Sequence, residues 1–216
     1  MREFVPPKLW QRSLYWTCSN FMYVLFRLIW RLDVEGRENL PETGGVLLAS
    51  NHQSLVDPPL VGCCIRRHSF YFAKEELFHI PLLGWFLSQM NAFPVRRFQN
   101  DIGAFRKAQG LLKNGQVLVL FPEGGRSRPG EIRGAKRGVG MMAYLSSAPV
   151  IPVYVDNSAY FLQFRKLNVV FGTPVQFPEK SAAEPNYQEW ADRVVAAIAD
   201  LRMNLYNRKN KDRVKL

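Results

Sequence analysis

The chain has 216 residues, of which 47% are hydrophobic, and 29 Lys and Arg against 18 Asp and Glu give it a formal net charge of +11. This composition excludes a disordered chain and one embedded wholly in a membrane, and the length suits one domain with a sizeable core. The charge excess favours an anionic partner, and the candidates are nucleic acid, an anionic membrane and a phosphorylated substrate.

The cysteines are Cys18, Cys63 and Cys64. An odd count with two adjacent residues is a poor disulfide framework, so we expect free thiols in a reducing compartment. No Cys and His residues have the spacing of a metal site, and no glycine-rich nucleotide-binding motif occurs, so we expect neither a metal nor a bound cofactor.

Residues 1–31 form an N-terminal segment that is apolar and rich in aromatic residues. Its apolar run, 14–30, would span about 25 Å as a helix, whereas a hydrocarbon core is about 30 Å thick. The segment carries residues suited to a bilayer interface and to anionic headgroups, namely Trp10, Tyr15, Trp16, Tyr23, Trp30, Arg2, Lys8, Arg12, Arg27 and Arg31. We predict an interfacial or half-inserted helix; a helix packed on the domain's own core and a true membrane span are the alternatives.

Residues 32–216 have the pattern of one α/β domain. Short apolar runs predict strands over 45–50, 69–73, 92–95, 117–121, 150–155 and 167–171. One helix is predicted to begin at Asp57, and others cover 77–90, 101–113 and 136–146. An apolar stripe from Trp190 to Leu205 predicts a C-terminal helix. The basic tail that follows from Arg208 is expected in solvent or at a membrane. The alternation predicts a mixed, largely parallel sheet flanked by helices.

The loop of residues 51–57 follows a predicted buried strand and contains His52 and Asp57. A tight connection from strand to helix brings the two side chains together, and a carboxylate beside an imidazole prepares it as a general base. Alternatively, Asp57 is only a helix cap and His52 only a polar loop residue.

A serine–histidine–aspartate triad is a further possibility for this loop, with Ser50, Ser54 or Ser127 as the nucleophile. The sequence has no G-x-S-x-G elbow to present such a serine. A His52–Asp57 dyad that activates a hydroxyl of the substrate is the simpler hypothesis, and it requires no acyl-enzyme.

The loop of residues 121–127 follows another apolar strand. Its glycines, Gly124 and Gly125, allow backbone N–H groups to approach a ligand, and Arg126 offers a planar fork suited to a phosphate. More positive charge follows at Arg128, Arg133, Lys136 and Arg137. The pattern indicates an anion site, with a merely solvated basic loop as the alternative.

Together these loops resemble the glycerolipid acyltransferases, specifically the 1-acyl-sn-glycerol-3-phosphate acyltransferase family. Residues 51–57 read Asn-His-x-x-x-x-Asp, the family's first block, and residues 121–127 read Phe-Pro-Glu-Gly-x-Arg-Ser, its third. Residues 92–97 and 150–153 resemble the second and fourth blocks. Residues 73–77 match the family's usual sequence between the first two blocks.

The resemblance covers roughly residues 32–177, and the chain departs from the family pattern at two points. Met90 and Asn91 stand where a glycine is common, which leaves the acceptor contacts open. Gly125 stands where threonine is frequent.

The resemblance implies an enzyme that acylates the free sn-2 hydroxyl of lysophosphatidic acid, making phosphatidic acid, with acyl-CoA or acyl-carrier protein as donor. It implies His52 as general base and Asp57 as the residue that orients it. It implies a substrate-binding set of Lys74, Arg96, Glu123, Gly124, Gly125, Arg126, Ser127 and Lys136. Backbone N–H groups within 123–125 are the predicted oxyanion hole.

The implied location is the cytoplasmic face of a membrane, the inner membrane in a bacterium, and the implied partners are an anionic membrane surface, the lysophospholipid and the donor. One rival is a related enzyme for another lysolipid, such as a lyso-ornithine lipid, or for phospholipid remodelling. Another is a non-catalytic basic module. We expect no nucleic acid, because the basic residues lack the aromatic interleaving of a single-strand binder.

Overall fold

The computed structural model describes residues 8–96, 101–177 and 185–214, and its centre is a seven-stranded sheet. The strands are β1 (Asp33–Glu35), β2 (Val46–Ser50), β3 (Ser69–Lys74), β4 (Ala92–Val95), β5 (Val117–Leu120), β6 (Val150–Asp156) and β7 (Asn168–Phe171). Their order across the sheet is β1-β7-β6-β2-β5-β3-β4. Strands β2 to β6 run parallel, while β7 and β1 run the opposite way. The predicted mixed, largely parallel sheet is confirmed.

Helices cover both faces of this sheet. The α-helices are α1 (Leu9–Ile29), α2 (Asp57–Cys63), α3 (Pro81–Gln89), α4 (Ile102–Lys113), α5 (Arg137–Ser146) and α6 (Tyr187–Val214). Short 3-10 helices occupy Arg37–Asn39, Glu75–His79 and Ser158–Gln163.

Strand side chains alternate between the two faces, as the two-residue period of a strand requires. Leu47 and Leu118 pack in a layer with residues of α4, α5 and α6, whereas Leu48 and Val119 pack with residues of α1 and α2. Every residue of β2 and β5 is buried, because helices cover both faces. This burial accounts for the unbroken apolar runs by which the two strands were predicted.

The five parallel strands end at one edge of the sheet, which we call the carboxyl edge. Strands β2 and β5 are neighbours, with Ala49 opposite Leu120, so the loops that follow them leave the sheet side by side. Strand β7 begins at this edge, since Asn168 lies opposite Asp156 at the end of β6. Ligands of open α/β sheets bind at such an edge.

Helix α1 packs on the domain along one face. Tyr15, Phe26 and Trp30 are buried, and the Tyr15 hydroxyl lies 2.7 Å from Oγ of Ser69. The opposite face exposes large apolar side chains, namely Leu9, Trp10, Phe21, Val24, Leu28 and Ile29. Helix α1 therefore packs on the core of the domain, as in one of the predicted alternatives, and its other face presents an apolar surface to solvent. In the described part of the chain, no helix has the length and apolarity needed to cross a bilayer; Arg2 lies outside the described residues.

Two helix predictions differ from the structure. The helix predicted over 77–90 is divided at Ile80, whose backbone is extended because the following Pro81 disfavours a helical conformation there. The basic tail predicted from Arg208 instead continues α6 to Val214. Arg208 pairs with Glu35 at 2.6 Å and Lys209 with Asp156 at 2.7 Å, and these pairs hold the last turns on the domain.

Candidate active site

His52 is the second residue after β2, and its position is fixed by its neighbour Asn51. The Asn51 side chain donates to the Val155 carbonyl at 2.9 Å and accepts from the Val155 N–H at 2.7 Å. This pair ties the chain leaving β2 to the adjacent strand β6. The backbone of His52 is therefore held in a fixed position at the carboxyl edge.

The imidazole of His52 is joined to Asp57, the first residue of α2. Nδ1 of His52 lies 2.9 Å from Oδ2 of Asp57, and the carboxylate is fully buried. The same oxygen accepts the backbone N–H groups of Gln53 and Ser54, each at 2.7 Å. Asp57 is thus not the residue that caps α2; its carboxylate turns back on the loop and orients the imidazole.

The other ring nitrogen of His52 is free for chemistry. The ring is stacked on Phe121, with centroids 4.1 Å apart, and the residue is 6% exposed. Nε2 forms no hydrogen bond to any described residue. With Nδ1 donating to Asp57, Nε2 carries the lone pair of the neutral ring. This is the arrangement of a general base.

Glu123 connects the loop after β5 to His52. Its Oε1 accepts the His52 backbone N–H at 3.0 Å, and its Oε2 accepts the backbone N–H of Arg133 at 3.2 Å. Burial raises the pKa of this carboxyl above its usual value, and the two backbone hydrogen bonds oppose that shift. The backbone N–H of Ser127 donates to the His52 carbonyl at 2.7 Å. Both backbone groups of His52 are therefore held by the second loop.

A sequence profile described as Acyltransferase matches residues 31–156 of this chain. The chain belongs to this acyltransferase family. It is 32% identical over 166 residues to a 1-acyl-sn-glycerol-3-phosphate acyltransferase of Bacillus subtilis, covering 75% of this chain and 82% of that protein. It is 31% identical to a yeast (Saccharomyces cerevisiae) protein of the same name, covering 69% of this chain and 51%, about half, of the yeast protein.

The fold agrees with this membership. The crystal structure of the 1-acyl-sn-glycerophosphate (LPA) acyltransferase PlsC from Thermotoga maritima matches with a TM-score of 0.71 at 27% identity. The match covers 89% of this chain and 81% of that one. The family resemblance inferred from the motifs is confirmed.

Arg133 of this acyltransferase has a structural role beyond the positive charge for which the sequence analysis named it. Its Nε donates to Oγ of Ser127 at 2.9 Å, and its Nη2 donates to the Arg126 carbonyl at 2.8 Å. Arg133 therefore braces the glycine-containing loop from its solvent-facing side. The Gln53 side chain adds a second tie, donating to the carbonyls of Arg128 and Glu131 at 3.3 and 3.0 Å.

Gly124, Gly125, Arg126 and Lys136 form the open side of the second loop. Gly124 has a φ of +69°, and a Cβ at this position would lie 3.2 Å from Cγ of Lys136, so the turn favours glycine. The Lys136 backbone N–H donates to the Pro122 carbonyl at 2.8 Å. Arg126 is exposed, and its guanidinium makes no ion pair with a described residue.

Two further members of the predicted substrate-binding set, Arg96 and Lys74, also lie at the carboxyl edge, but each is paired with an acid. Nε of Arg96 lies 2.9 Å from Oε2 of Glu75, and Nζ of Lys74 lies 3.1 Å from Oε1 of Glu76. Both pairs are solvent-exposed and therefore weak. Arg97 of the second block lies outside the described residues.

The serine hydroxyls considered for a triad bond elsewhere. Ser50 donates to the Asn51 carbonyl at 3.0 Å, and the hydroxyls of Ser54 and Ser127 accept from Val56 and Arg133. Among the described residues, none of these three hydroxyls is hydrogen-bonded to His52. The geometry favours the dyad.

Proposed function

We propose that this acyltransferase moves a fatty acyl group from a thioester donor to the sn-2 hydroxyl of lysophosphatidic acid and so makes phosphatidic acid. The relatives named for this activity and the four family blocks support the proposal. The observation that carries it is the His52–Asp57 contact of 2.9 Å, which leaves Nε2 of His52 able to take a proton.

In the proposed reaction, Nε2 of His52 removes the proton of the acceptor hydroxyl as its oxygen attacks the thioester carbonyl carbon. The Asp57 carboxylate stabilises the imidazolium that forms. The tetrahedral intermediate collapses, the C–S bond breaks, and the thiolate leaves with the proton returned from His52. The ester and the free thiol of CoA or the carrier protein are the products.

The negative oxygen of the intermediate requires N–H donors that are not already in use. The N–H of Gly124 is occupied by the Phe121 carbonyl at 3.0 Å. The N–H groups of Gly125 and Arg126 donate to no described residue. The N–H of Glu123 likewise donates to no described residue. We therefore assign the oxyanion hole to the amides of Glu123, Gly125 and Arg126, and exclude that of Gly124.

The unpaired guanidinium of Arg126 is the proposed first ligand of the acceptor phosphate. Arg96 can join it when the phosphate replaces Glu75, because a doubly charged phosphate is a stronger partner for the guanidinium than an exposed carboxylate. Lys74 and Lys136 complete the positive surroundings.

The acceptor and the product are amphiphiles, and the net charge of +11 favours an anionic membrane surface as the working location. The exposed apolar side chains at the C-terminal end of α1, Leu28 and Ile29, fit such a surface. The enzyme is accordingly proposed to act at the cytoplasmic face of a membrane, the inner membrane in a bacterium. Either acyl-CoA or acyl-carrier protein supplies the acyl group.

The test uses purified full-length protein with lysophosphatidic acid and either oleoyl-CoA or oleoyl-carrier protein, with phosphatidic acid measured by mass spectrometry. Phosphatidic acid must form with at least one donor. Parallel reactions with lyso-ornithine lipid and lysophosphatidylcholine address the rival acceptors. Preferred acylation of either rival would overturn the assignment of the acceptor while leaving the dyad intact.

A further inference from the structure

The connection between β6 and β7, residues 157–167, is rich in aromatic residues, and we call it the aromatic loop. It begins after Asp156 and ends before Asn168, which lie opposite each other, so the loop projects from the carboxyl edge. His52 leaves the sheet at the same edge, from the strand next to β6. The aromatic loop therefore flanks the active site.

The aromatic loop is fixed to the end of α1 by stacked rings. Phe161 stacks on Trp30 with centroids 4.2 Å apart and an interplanar angle of 12°, and the Trp30 indole N–H donates to the Phe161 carbonyl at 2.8 Å. Phe164 stacks on the same indole at 5.6 Å. These contacts hold the loop in one conformation against the domain.

The aromatic loop nevertheless presents its largest apolar side chains to solvent. Leu162 is 84% exposed and Phe164 is 57% exposed. Phe164 has a φ of +52°, a left-handed conformation that a bulky aromatic residue rarely adopts. Such backbone strain persists where the surroundings impose it, and it concentrates at functional positions.

Exposed apolar side chains from two other segments lie at the same edge. Leu28 and Ile29 close α1 beside Trp30, and Leu55 follows His52 by three residues. The flanking charge is basic, since Arg31 and Arg165 are exposed and make no ion pair with a described residue. Exposed apolar side chains flanked by two unpaired arginines complement an anionic lipid surface.

We propose that the aromatic loop, together with the C-terminal end of α1, inserts into the bilayer interface, so that the carboxyl edge faces the membrane. In this orientation the C-terminal end of α1 is inserted and its N-terminal end points away from the lipid. The two ends are about 30 Å apart along the helix axis. His52 opens toward the leaflet that contains its acceptor; this last consequence rests on the proposed function, whereas the insertion itself does not.

The test compares full-length wild type with the double variant Leu162→Ser and Phe164→Asn in co-sedimentation with vesicles of phosphatidylglycerol and phosphatidylcholine. The double variant loses the stack of Phe164 on Trp30 but keeps the Phe161 stack and the Trp30–Phe161 hydrogen bond, and asparagine tolerates the left-handed conformation. The melting temperature is therefore expected to stay within a few degrees of wild type. The molar partition coefficient is expected to fall by about tenfold or more, because two apolar side chains no longer enter the lipid.

Leu9→Ser provides the matched control, since Leu9 is 80% exposed at the opposite end of α1. The proposal expects vesicle binding of this variant to stay within about twofold of wild type. An equal loss in both variants would show that α1 lies flat on the bilayer and would overturn edge-on docking. Unchanged vesicle binding of the double variant would contradict the proposal. A change in its oligomeric state instead would show that the aromatic loop contacts another protein chain rather than lipid.

An activity measurement separates this proposal from the proposed function. With a short-chain lysophosphatidic acid held below its critical micelle concentration, the double variant is expected to match wild type. With the acceptor embedded in vesicles, its rate is expected to fall in parallel with binding. Equal rates on embedded acceptor would contradict the docking proposal, whereas an inactive wild type would contradict only the proposed function, because co-sedimentation needs no turnover.

Discussion

The Oδ2 atom of Asp57 accepts three hydrogen bonds, one from Nδ1 of His52 and two from the loop backbone at Gln53 and Ser54. A single buried oxygen thus shapes the loop and fixes the imidazole. The carboxylate is thereby held in the position from which it can stabilise a protonated His52.

Replacing Asp57 with Asn tests this relationship. The amide can no longer hold the imidazolium, so kcat is expected to fall by about 10² to 10⁴, while the KM for the acceptor changes little. Steady-state kinetics measure both values. Asp192→Asn, a change at an exposed carboxylate of α6, is the control and should leave kcat unaltered. An Asp57→Asn variant with nearly normal kcat would show that the carboxylate shapes the loop but does not assist His52 in catalysis.

Glu123 predicts a defined dependence of stability on pH. A carboxyl whose pKa is raised on folding is most favourable when protonated, so its contribution to the free energy of unfolding falls as pH rises through the raised value. The pH range over which stability changes begins near 4.5, the ordinary pKa of a glutamate, and extends above it. In urea denaturation across this range, the free energy of unfolding of wild type minus that of Glu123→Gln should fall with rising pH. A rise of wild type relative to the variant would instead mean that the backbone N–H groups outweigh burial.

Gly124→Ala tests the tight turn of the second loop. The left-handed φ costs an alanine about 1–2 kcal/mol, and crowding of Lys136 adds to this. Gly44→Ala is a matched control, because Gly44 has a φ of +79° and nothing within 4 Å of an added Cβ. Thermal unfolding should show the larger loss for Gly124→Ala. Equal losses would indicate that Lys136 moves aside freely.

Asp156 should be essential for the docking of the end of α6. The buried carboxylate pairs with Lys209 at 2.7 Å and accepts the Tyr206 hydroxyl at 3.2 Å. Asp156→Ala leaves a half-buried ammonium without its partner and is expected to cost about 3 kcal/mol. Hydrogen exchange in 202–214 should accelerate. Arg193→Ala, which removes the exposed pair with Glu189, is the control and should cost about 0.5 kcal/mol at most.

The parts of the fold that follow from local patterns could be predicted from the sequence. The His52–Asp57 contact spans one strand-to-helix connection, so the sequence indicated it as one of two roles for Asp57, the other being a helix cap. The apolar stripe of α6 was likewise recognisable, and Trp190, Val194 and Ile198 are buried.

The parts that depend on long-range pairing could not be predicted. The three-residue strand β1 exists only because it pairs with β7, far along the chain. The last turns of α6 lack an apolar stripe and depend on ion pairs with distant acids. Arg133 gave no signal, because its role comes from hydrogen bonds to two loop residues rather than from a motif.

The most direct measurement of the central claim is the turnover of His52→Gln beside wild type, with lysophosphatidic acid and the preferred donor. Glutamine retains the backbone hydrogen bonds to Glu123 and Ser127 but cannot act as a base. The account predicts a loss in kcat of about 10² to 10⁴ with an unchanged thermal unfolding midpoint. Turnover within a few-fold of wild type by the folded variant would contradict the assignment of His52 as the general base.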